Sequence, residues 1–158
     1  MLVQCNHGQR DQLRIAGVPV GREIPGPKAW DDDVGSIIVG VATDASLIPT
    51  QLKRVAKRVT LGLGRNRSYS GDGSGDIFIA FSTANPRAAS SSGVRSLAML
   101  PNDQINPLFL ATVQATEEAV VNAMIAAETM TGIKGHIVMA LPRDRLREVL
   151  KKYNRIAP

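Results

Sequence analysis

The sequence predicts a layered α/β sandwich, and two observations lead to this fold class. Short β-branched runs alternate along the chain with amphipathic helical patterns, which is the order expected when helices cover a sheet. The chain has 158 residues, 44% of them hydrophobic and 21% charged, and these are ordinary values for one folded unit with a single core. We therefore expect one α/β unit with helices on its outer faces.

The first 35 residues predict short strands followed by a linker. Residues 2–5 and 13–16 carry apolar strand patterns. Residues 18–21 then lead into a stretch rich in proline and glycine, which ends at the acidic run 31–33. Three adjacent like charges repel one another and favour a solvated loop.

The main strand is predicted to begin at Ser36. It contains a β-branched run of the kind found in strands buried on both faces, namely Ile37, Ile38, Val39 and Val41. Ser36 thus follows a solvated acidic loop and opens a rigid strand. Because Gly35 has no Cβ, the Ser36 hydroxyl can approach its carbonyl closely. Attack there would cut the chain and leave Ser36 as a new N-terminus.

A freed Ser36 would carry a nucleophile and a base on one residue. An unperturbed α-amino group titrates near pH ~7.7–8.0, which suits a general base at neutral pH. N-terminal hydroxyl nucleophiles are activated in this way. Taken alone, however, a Gly-Ser pair is also compatible with a serine that merely opens a strand.

Downstream of the main strand the pattern alternates between helix and strand. A helix is predicted after Pro49 through Arg58, and residues 77–82 predict a second buried strand. The inward stripe of that helix comprises Leu52, Val55, Ala56 and Val59. Residues 84–102 contain two prolines and a serine-rich run, which predicts a long irregular segment.

The C-terminal third predicts two helices separated by a strand. Asn106 and Pro107 supply an N-cap and a first-turn proline for a helix running toward Thr131, with Gly132 as its stop. Residues 135–141 predict a strand. The last helix is marked by an apolar stripe formed by Leu146, Val149, Leu150 and Tyr153.

A second chemical motif, GDGSGD, occupies residues 71–76. In an extended chain Ser74 and Asp76 would face the same way, so that a hydroxyl and a carboxylate could orient an amine and relay a proton. Other interpretations of the motif fail on spacing. A P-loop needs GK[ST], and an EF-hand starting at Asp72 would need glycine at Ile77 and glutamate at Thr83. The Gly-x-Ser-x-Gly elbow does not occur around Ser74 either.

Ordered segments along most of the chain resemble the L-aminopeptidase/D-amidase and β-peptidyl aminopeptidase family of self-processing N-terminal serine hydrolases. The segments that resemble its β-subunit are GSIIVGVATDASLIPTQLKRVAKR, GDGSGDIFIAFSTAN, INPLF and EEAVVNAM. Two earlier segments, LVQCNHG and IAGVPVGREI, resemble the end of its α-subunit. The resemblance implies an αββα sandwich related to N-terminal nucleophile hydrolases, of which this chain would form the C-terminal part. Residues 1–35 would end the α-subunit and residues 36–158 would form the β-subunit.

The resemblance also implies the roles of four residues. Cleavage at Gly35-Ser36 would make Ser36 the nucleophile, and Ser74 and Asp76 would be its orienting and proton-handling partners. Asn6 lies in the segment that resembles the one carrying the oxyanion-hole asparagine, and an asparagine amide can donate to a developing oxyanion. Without that context Asn6 is an ordinary asparagine at a strand end, and GDGSGD an ordinary glycine-rich turn.

Composition argues against several other classes of protein. The net charge of +5 and pI near 9.8 would suit nucleic acid, but the basic residues concentrate at 53–58 and 143–152, where a solvated helix face explains them. Cys5 is the single cysteine, and His7 and His136 lack metal-site spacing, so we expect no metal and no cofactor. We expect no membrane span, and the lack of a charged signal-peptide start favours a cytoplasmic location.

The sequence thus predicts a serine aminopeptidase or amidase acting on short peptides, amides or esters. Its expected partners are that substrate, an α-subunit-like chain and further copies in a homo-oligomer. The family's α-subunit is longer than this whole chain, so the alternative is an inactive fragment or a partner subunit. An acyltransferase of the ornithine acetyltransferase type is a further rival, but that family cuts before threonine. A nucleic-acid module ranks last.

Overall fold

The computed structural model describes residues 1–26, 35–90 and 92–157, and within these ranges the main sheet has three strands in the order β1-β2-β3. These strands are β1 (Leu2–Asn6), β2 (Ser36–Thr43) and β3 (Ile77–Ser82). β1 is antiparallel to β2, and β3 is parallel to β2. The predicted acidic run 31–33, together with the end of the predicted linker, lies outside the described residues.

The helices that contact this sheet lie on one face of it. The helices are α1 (Val20–Glu23), α2 (Pro49–Ala56), α3 (Val59–Arg65), α4 (Asn106–Ala126) and α5 (Arg143–Lys152). α2 contacts β3, while α4 contacts β1 and packs along α3. A small hairpin of β4 (Met130–Thr131) and β5 (Ile137–Val138) lies between α4 and α5. The predicted layered α/β fold class is therefore confirmed.

The core lies between the main sheet and α2, α3 and α4. The inward residues of β2 are fully or almost fully buried there, as expected when every second side chain of a strand faces the helices. The buried members of this cluster are Ile37, Val39, Val41, Leu47, Val55, Val59, Leu63, Ile105 and Val120. Burying one such side chain contributes on the order of 1.5–3 kcal/mol, so this cluster is the main stabilising element of the sheet layer.

The opposite face of the sheet is exposed in the described chain. Ile38 on β2 is 45% exposed, and Ile79 and Phe81 on β3 are 56% and 51% exposed. The prediction that both strands are buried on both faces is therefore wrong for this chain. The reason is that one helix layer and one sheet layer are present among the described residues, and no second sheet lies over Ile38 and its neighbours.

The predicted strand at 13–16 is also wrong. Arg10–Gln12 forms a 3₁₀ turn, and Ile15 and Val18 exchange two backbone hydrogen bonds across a tight turn. The two turn residues, Ala16 and Gly17, have φ values of 50° and 78°. Positive φ at consecutive residues is typical of a two-residue reversal, so this segment folds back locally instead of pairing with the sheet.

The predicted helix over 50–58 ends at Ala56, and a further helix, α3, follows it after a two-residue break. α3 is missing from the sequence prediction because Gly62 and Gly64 lower its helix propensity. Gly62 is needed for packing instead. A Cβ at that position would lie 2.5 Å from the Thr116 Cβ, so the glycine permits the close approach of α3 and α4.

α4 has Pro107 in its first turn, as predicted, but Asn106 is wrong as the N-cap, because Ile105 occupies that position without a side-chain cap and Asn106 is the first helical residue. The helix ends at Ala126 rather than near Thr131. The residues beyond it pair as strands instead, with Met130 opposite Val138 and a hydrogen bond from Ala140 N–H to Thr129 Oγ1. This pairing limits the predicted strand over 135–141 to Ile137–Val138. The described part of 84–102 is irregular apart from a 3₁₀ turn beginning at Asn102, and α5 lies where the final helix was predicted.

α5 packs against the segment that precedes Ser36. Its residues Leu146 and Val149 are buried, and they form a second apolar cluster with Ile15, Val18, Val20 and Ile24. At the edge of this cluster Glu23 accepts hydrogen bonds from Lys152 Nζ at 2.9 Å and Tyr153 Oη at 2.6 Å. The C-terminal helix α5 thus packs against α1 through apolar side chains and hydrogen bonds to Glu23 at the edge. In the described ranges no helix is long and apolar enough to cross a membrane.

Candidate active site

Three segments distant in sequence meet at one end of the main sheet. β2 and β3 are parallel, so both begin at this end, and β1 is antiparallel, so it finishes there. The register places Asn6, the last residue of β1, opposite Ser36, the first residue of β2. The glycine-rich loop 71–76 immediately precedes β3 and therefore lies at the same end. Strand direction alone explains why the predicted site residues come together.

Ser36 is held through both of its polar groups. Its backbone N–H donates to Asn6 Oδ1 at 3.0 Å. Its Oγ accepts a hydrogen bond of 3.0 Å from the backbone N–H of Gly75. The hydroxyl proton is not used by that bond, so the oxygen can still lose it to a base. If the chain is cut before Ser36, the group facing Asn6 Oδ1 becomes the α-amino group.

Gly35 packs directly against the end of β1. A Cβ on Gly35 would lie 2.2 Å from the Asn6 carbonyl oxygen and 2.9 Å from the His7 Cα. Backbone atoms cannot yield as the tip of a flexible side chain can, so a larger residue would displace either Asn6 or Ser36. The missing Cβ thus permits close packing on the backbone of Asn6 and His7, and the approach of the Ser36 hydroxyl to the Gly35 carbonyl stays a prediction.

Asp76 is the hydrogen-bonding centre of the loop. Its Oδ1 accepts from Ser74 Oγ at 2.5 Å and from the Ile37 backbone N–H at 3.1 Å. Its Oδ2 accepts from Ser70 Oγ at 2.7 Å. The structure thus brings Ser74 and Asp76 together, and the bond from Ile37 ties the carboxylate to the residue that follows Ser36.

Burial by itself raises the pKa of Asp76, but the hydrogen bonds from Ser74, Ser70 and the Ile37 N–H outweigh it, and together with the charge of His7 they lower the pKa below its ordinary value. Hydrogen bonds donated to a carboxylate favour its ionised form. Asp76 is therefore an anion across the neutral range. It can stabilise a nearby ammonium group and hold the Ser74 hydroxyl in one orientation.

Two contributors were not anticipated from the sequence. Gly75 supplies a backbone donor, which no side-chain motif reveals. Ser70 lies one residue before the GDGSGD motif, and its hydroxyl donates a hydrogen bond to Asp76 from a residue with a φ of 50°. A serine beside a glycine-rich loop is a weak signal, and only the folded loop shows that its side chain turns toward the carboxylate.

The remaining titratable groups near the site do not offer a competing nucleophile or metal centre. Burial raises the pKa of the Cys5 thiol, which keeps it protonated and weakly nucleophilic at neutral pH. Among the described residues, no group of three or more His, Cys, Asp or Glu side chains could hold a metal ion. The arrangement at Ser36 suits acyl transfer to a hydroxyl, with a backbone N–H, an asparagine and an ionised carboxylate around it.

Comparisons with known proteins identify the family of the chain. The sequence profile of peptidase family S58 matches residues 1–138. The β-peptidyl aminopeptidase of Sphingosinicella microcystinivorans is 47% identical over 173 aligned positions, which cover 99% of this chain and 44% of that protein. The corresponding enzyme of Sphingosinicella xenopeptidilytica is 42% identical, with 96% of this chain and 41% of the enzyme covered.

Solved structures match equally well. The L-aminopeptidase D-Ala-esterase/amidase of Ochrobactrum anthropi, a prototype of the serine aminopeptidases and a variant of the Ntn-hydrolase fold, superposes with a TM-score of 0.87 at 48% identity. That match covers 98% of this chain and 43% of the enzyme. A β-aminopeptidase from Burkholderia sp. gives a TM-score of 0.85 at 40% identity, covering 99% and 44% respectively. This chain therefore spans less than half the length of the relatives it matches and has part of their fold.

Proposed function

The chain belongs to peptidase family S58, and from that premise we propose that, completed by an upstream part, it is a self-processing serine aminopeptidase or amidase. The single observation that supports this proposal most directly is the geometry of Ser36. Ser36 Oγ accepts a hydrogen bond from the Gly75 N–H, and the Ser36 N–H donates to Asn6 Oδ1. The preceding residue, Gly35, packs closely on the backbone of Asn6. These contacts suit cleavage at Gly35-Ser36. The relatives whose names state an activity are aminopeptidases or amidases, and short peptides, amides or esters are the proposed substrates.

The proposed first step is cleavage of the chain. Ser36 Oγ attacks the Gly35 carbonyl carbon, the Gly35-Ser36 C–N bond breaks, and the hydroxyl proton passes to the departing nitrogen. The product is an ester between Gly35 and Ser36 Oγ, which water hydrolyses to a Gly35 carboxylate and a free Ser36. The proposed division at residues 1–35 and 36–158 follows from this cut.

The proposed second reaction is hydrolysis of a substrate by the freed Ser36. The α-amino group of Ser36, facing Asn6 Oδ1, takes the hydroxyl proton as Oγ attacks the carbonyl of the substrate's first residue. The C–N or C–O bond breaks, the proton goes to the leaving group, and water hydrolyses the acyl-enzyme. Asp76 and Ser74 orient and stabilise the protonated amine, and the Asn6 amide would donate to the oxyanion. No cofactor takes part in these steps.

An α-subunit-like chain is the proposed partner. The exposed outer face of the main sheet carries Ile38, Ile79 and Phe81, and it shares its end with Asn6 and Ser36. An apolar sheet face of this kind is stable in water only when another layer packs on it. The missing half of the relatives' length would supply that layer and the walls of the substrate pocket. Assembly into a homo-oligomer and a cytoplasmic location complete the proposal.

The experiment is to measure intact mass after the chain has been produced with a complete upstream part. Wild-type protein should yield a fragment that begins at Ser36. Ser36→Ala should remain uncut, because a methyl group cannot attack, whereas Ser90→Ala in the exposed loop should be cut as the wild type is. An uncut chain in a folded wild-type protein would contradict the proposal.

A second candidate function is that of an inactive fragment or partner subunit, and it is favoured by the coverage of under half of the relatives. The purified 158-residue chain should then hydrolyse an aminoacyl amide far more slowly than the form extended upstream. Size-exclusion chromatography should show the short chain associating through its open sheet face. Equal turnover by a monomer of the short chain would exclude this candidate.

A further inference from the structure

We infer that Ser70 is a positioning residue for the proposed reaction, because it holds the second carboxylate oxygen of Asp76 and so fixes the direction of the Ser74 hydroxyl. The inference rests on the proposed function, in which Ser74 and Asp76 organise the Ser36 amine. Ser70 itself lies outside the GDGSGD motif, and nothing in the family resemblance assigned it a role.

The division of contacts on Asp76 supports this inference. Oδ1 is shared by Ser74 Oγ and the Ile37 N–H, while Ser70 Oγ at 2.7 Å is the side-chain donor on Oδ2. Rotation about the Cβ–Cγ bond, which has a broad torsional minimum, moves both oxygens away from their donors. The donor on Oδ2 therefore adds to the restraint that Ser74 and Ile37 place on Oδ1. Ser70 thus helps to hold the carboxylate in the plane in which Oδ1 faces Ser74 and Ile37.

The backbone of Ser70 points to the same role. Its φ of 50° lies in the left-handed region, where residues other than glycine are uncommon. The adjoining residue is Gly71, which would adopt such a conformation at little cost. The strained position is nevertheless occupied by a serine, and its hydroxyl donates a hydrogen bond to Asp76. Backbone strain of this kind is concentrated at functional sites and is offset by the contacts that it makes possible.

Other charges around Asp76 are few in the described part of the chain. His7, just beyond the end of β1, lowers the pKa of Asp76 through its charge, and Asp72 lies on the same loop. After cleavage the Ser36 amine adds a positive charge beside the Ile37 N–H. The Ser70 hydrogen bond favours the ionised carboxylate, so removing the Ser70 hydroxyl should raise the pKa of Asp76 in cut and uncut protein alike.

The test compares Ser70→Gly with Ser70→Ala. Both remove the hydroxyl, but only glycine relieves the strain of a positive φ. If the hydroxyl positions Asp76, both variants should raise the Asp76 pKa by about half to one unit, the effect of losing one hydrogen bond to a carboxylate. This is measured by ¹³C NMR titration of aspartate-labelled chain, with Asp76→Asn assigning the signal. The titration needs no enzymatic activity.

Activity provides the second readout in the extended protein. Both variants should lower kcat/KM for an aminoacyl p-nitroanilide about tenfold, the loss expected for a charge-assisted hydrogen bond, and move the acidic limb of the profile to higher pH. Ser68→Ala, on the same loop, should change neither. Adding Ser70→Gly to Asp76→Asn should have no further effect on kcat/KM.

An unchanged Asp76 pKa in both variants would overturn the inference. So would wild-type behaviour of Ser70→Gly with a loss only in Ser70→Ala. Failure of the wild type to cleave itself would overturn the proposed function alone.

Discussion

At the scale of single residues, the candidate site depends on small groups at fixed distances. The Ser36 nitrogen and oxygen are each held at 3.0 Å, by Asn6 and by the Gly75 N–H. Neither bond is strong, since a neutral hydrogen bond contributes about 0.5–1.5 kcal/mol net. Their value is geometric, because they keep the oxygen and the future amine of Ser36 in fixed positions.

Gly35→Ala should slow cleavage before Ser36 strongly. The added Cβ would lie 2.2 Å from the Asn6 carbonyl oxygen, so the backbone must move. A displacement near 1 Å at a reacting group can reduce the rate about 10²-fold. Gly64→Ala at an exposed position of α3 is the control, since its Cβ would meet nothing within 4 Å. The fraction cut is followed over time by intact mass, and equal rates for both variants would refute the steric argument.

Ser74→Ala and Asp76→Asn should reduce hydrolysis of an aminoacyl p-nitroanilide by the extended protein while circular dichroism stays unchanged. The Asp76 pKa is lowered in the folded state. Its hydrogen bonds therefore stabilise the fold fully above the unfolded value of about 3.9 and lose that effect as pH falls through the folded pKa.

Urea unfolding of wild type and Asp76→Asn should therefore differ at pH 6 and converge at low pH. Asp103→Asn, at an exposed position in another loop, serves as the control. If Ser74→Ala and Asp76→Asn both hydrolyse the p-nitroanilide at the wild-type rate, the loop 71–76 has only a structural role.

At the scale of secondary-structure elements, apolar packing contributes more to stability than exposed polar contacts do. α5 meets the upstream segment through buried Leu146 and Val149, with Glu23 bridging to Lys152 and Tyr153 at the edge. The hydrogen bonds from Tyr153 and Lys152 lower the pKa of Glu23, but exposed ion pairs contribute little to stability. The apolar contacts should therefore hold α1 and the turn before it against α5 after a cut.

Leu146→Ala should loosen this contact far more than Glu23→Gln. Truncating a buried leucine costs about 2–5 kcal/mol, because it loses transfer free energy and leaves a cavity. Amide hydrogen exchange should therefore accelerate in α1 and α5 of Leu146→Ala and remain near the wild-type rate in Glu23→Gln. If Glu23→Gln has the larger effect, the polar edge rather than the apolar cluster holds the two segments together.

At the scale of the whole molecule, the described chain is one side of a sandwich. Its sheet has a covered inner face and an outer face where Ile77, Ile79 and Phe81 are each more than half exposed. Contiguous apolar surface of this kind promotes association. The same face would be buried once a second layer packs on it, which fits coverage of 43% of the Ochrobactrum structure.

Ile79→Asn in the isolated chain should reduce self-association without lowering its melting temperature. Ile37→Asn is the matched control on the inner face, where the side chain is 0% exposed, and it should unfold the chain because it buries an amide in the core. In the extended protein Ile79→Asn should become destabilising. Size-exclusion chromatography and thermal melts distinguish these results, and unchanged association of Ile79→Asn would show that another surface is responsible.

The sequence by itself predicted the segments of the candidate site and most of the secondary-structure elements. Local patterns can be recognised without knowledge of the fold. Examples are Ser36 at the start of a β-branched run, the GDGSGD loop and the apolar stripe of α5. The resemblance to the family rested on segments that include Ser36 and the GDGSGD loop. Helix α3 was not predicted, because Gly62 lowers its helix propensity and is needed for close packing against α4. The end of α4 could not be predicted, because it depends on the pairing of β4 with β5.

Only the tertiary structure decided what these segments contact. Asn6, Ser36 and Asp76 lie 30 and 40 residues apart in sequence, and they meet because an antiparallel strand ends where two parallel strands begin. The hydrogen bond from Ser70 to Asp76 is a further contact that only the folded loop reveals. Whether β3 is buried on one face or both depends on a second layer, because burial is a property of what packs on a strand and not of the strand's own residues.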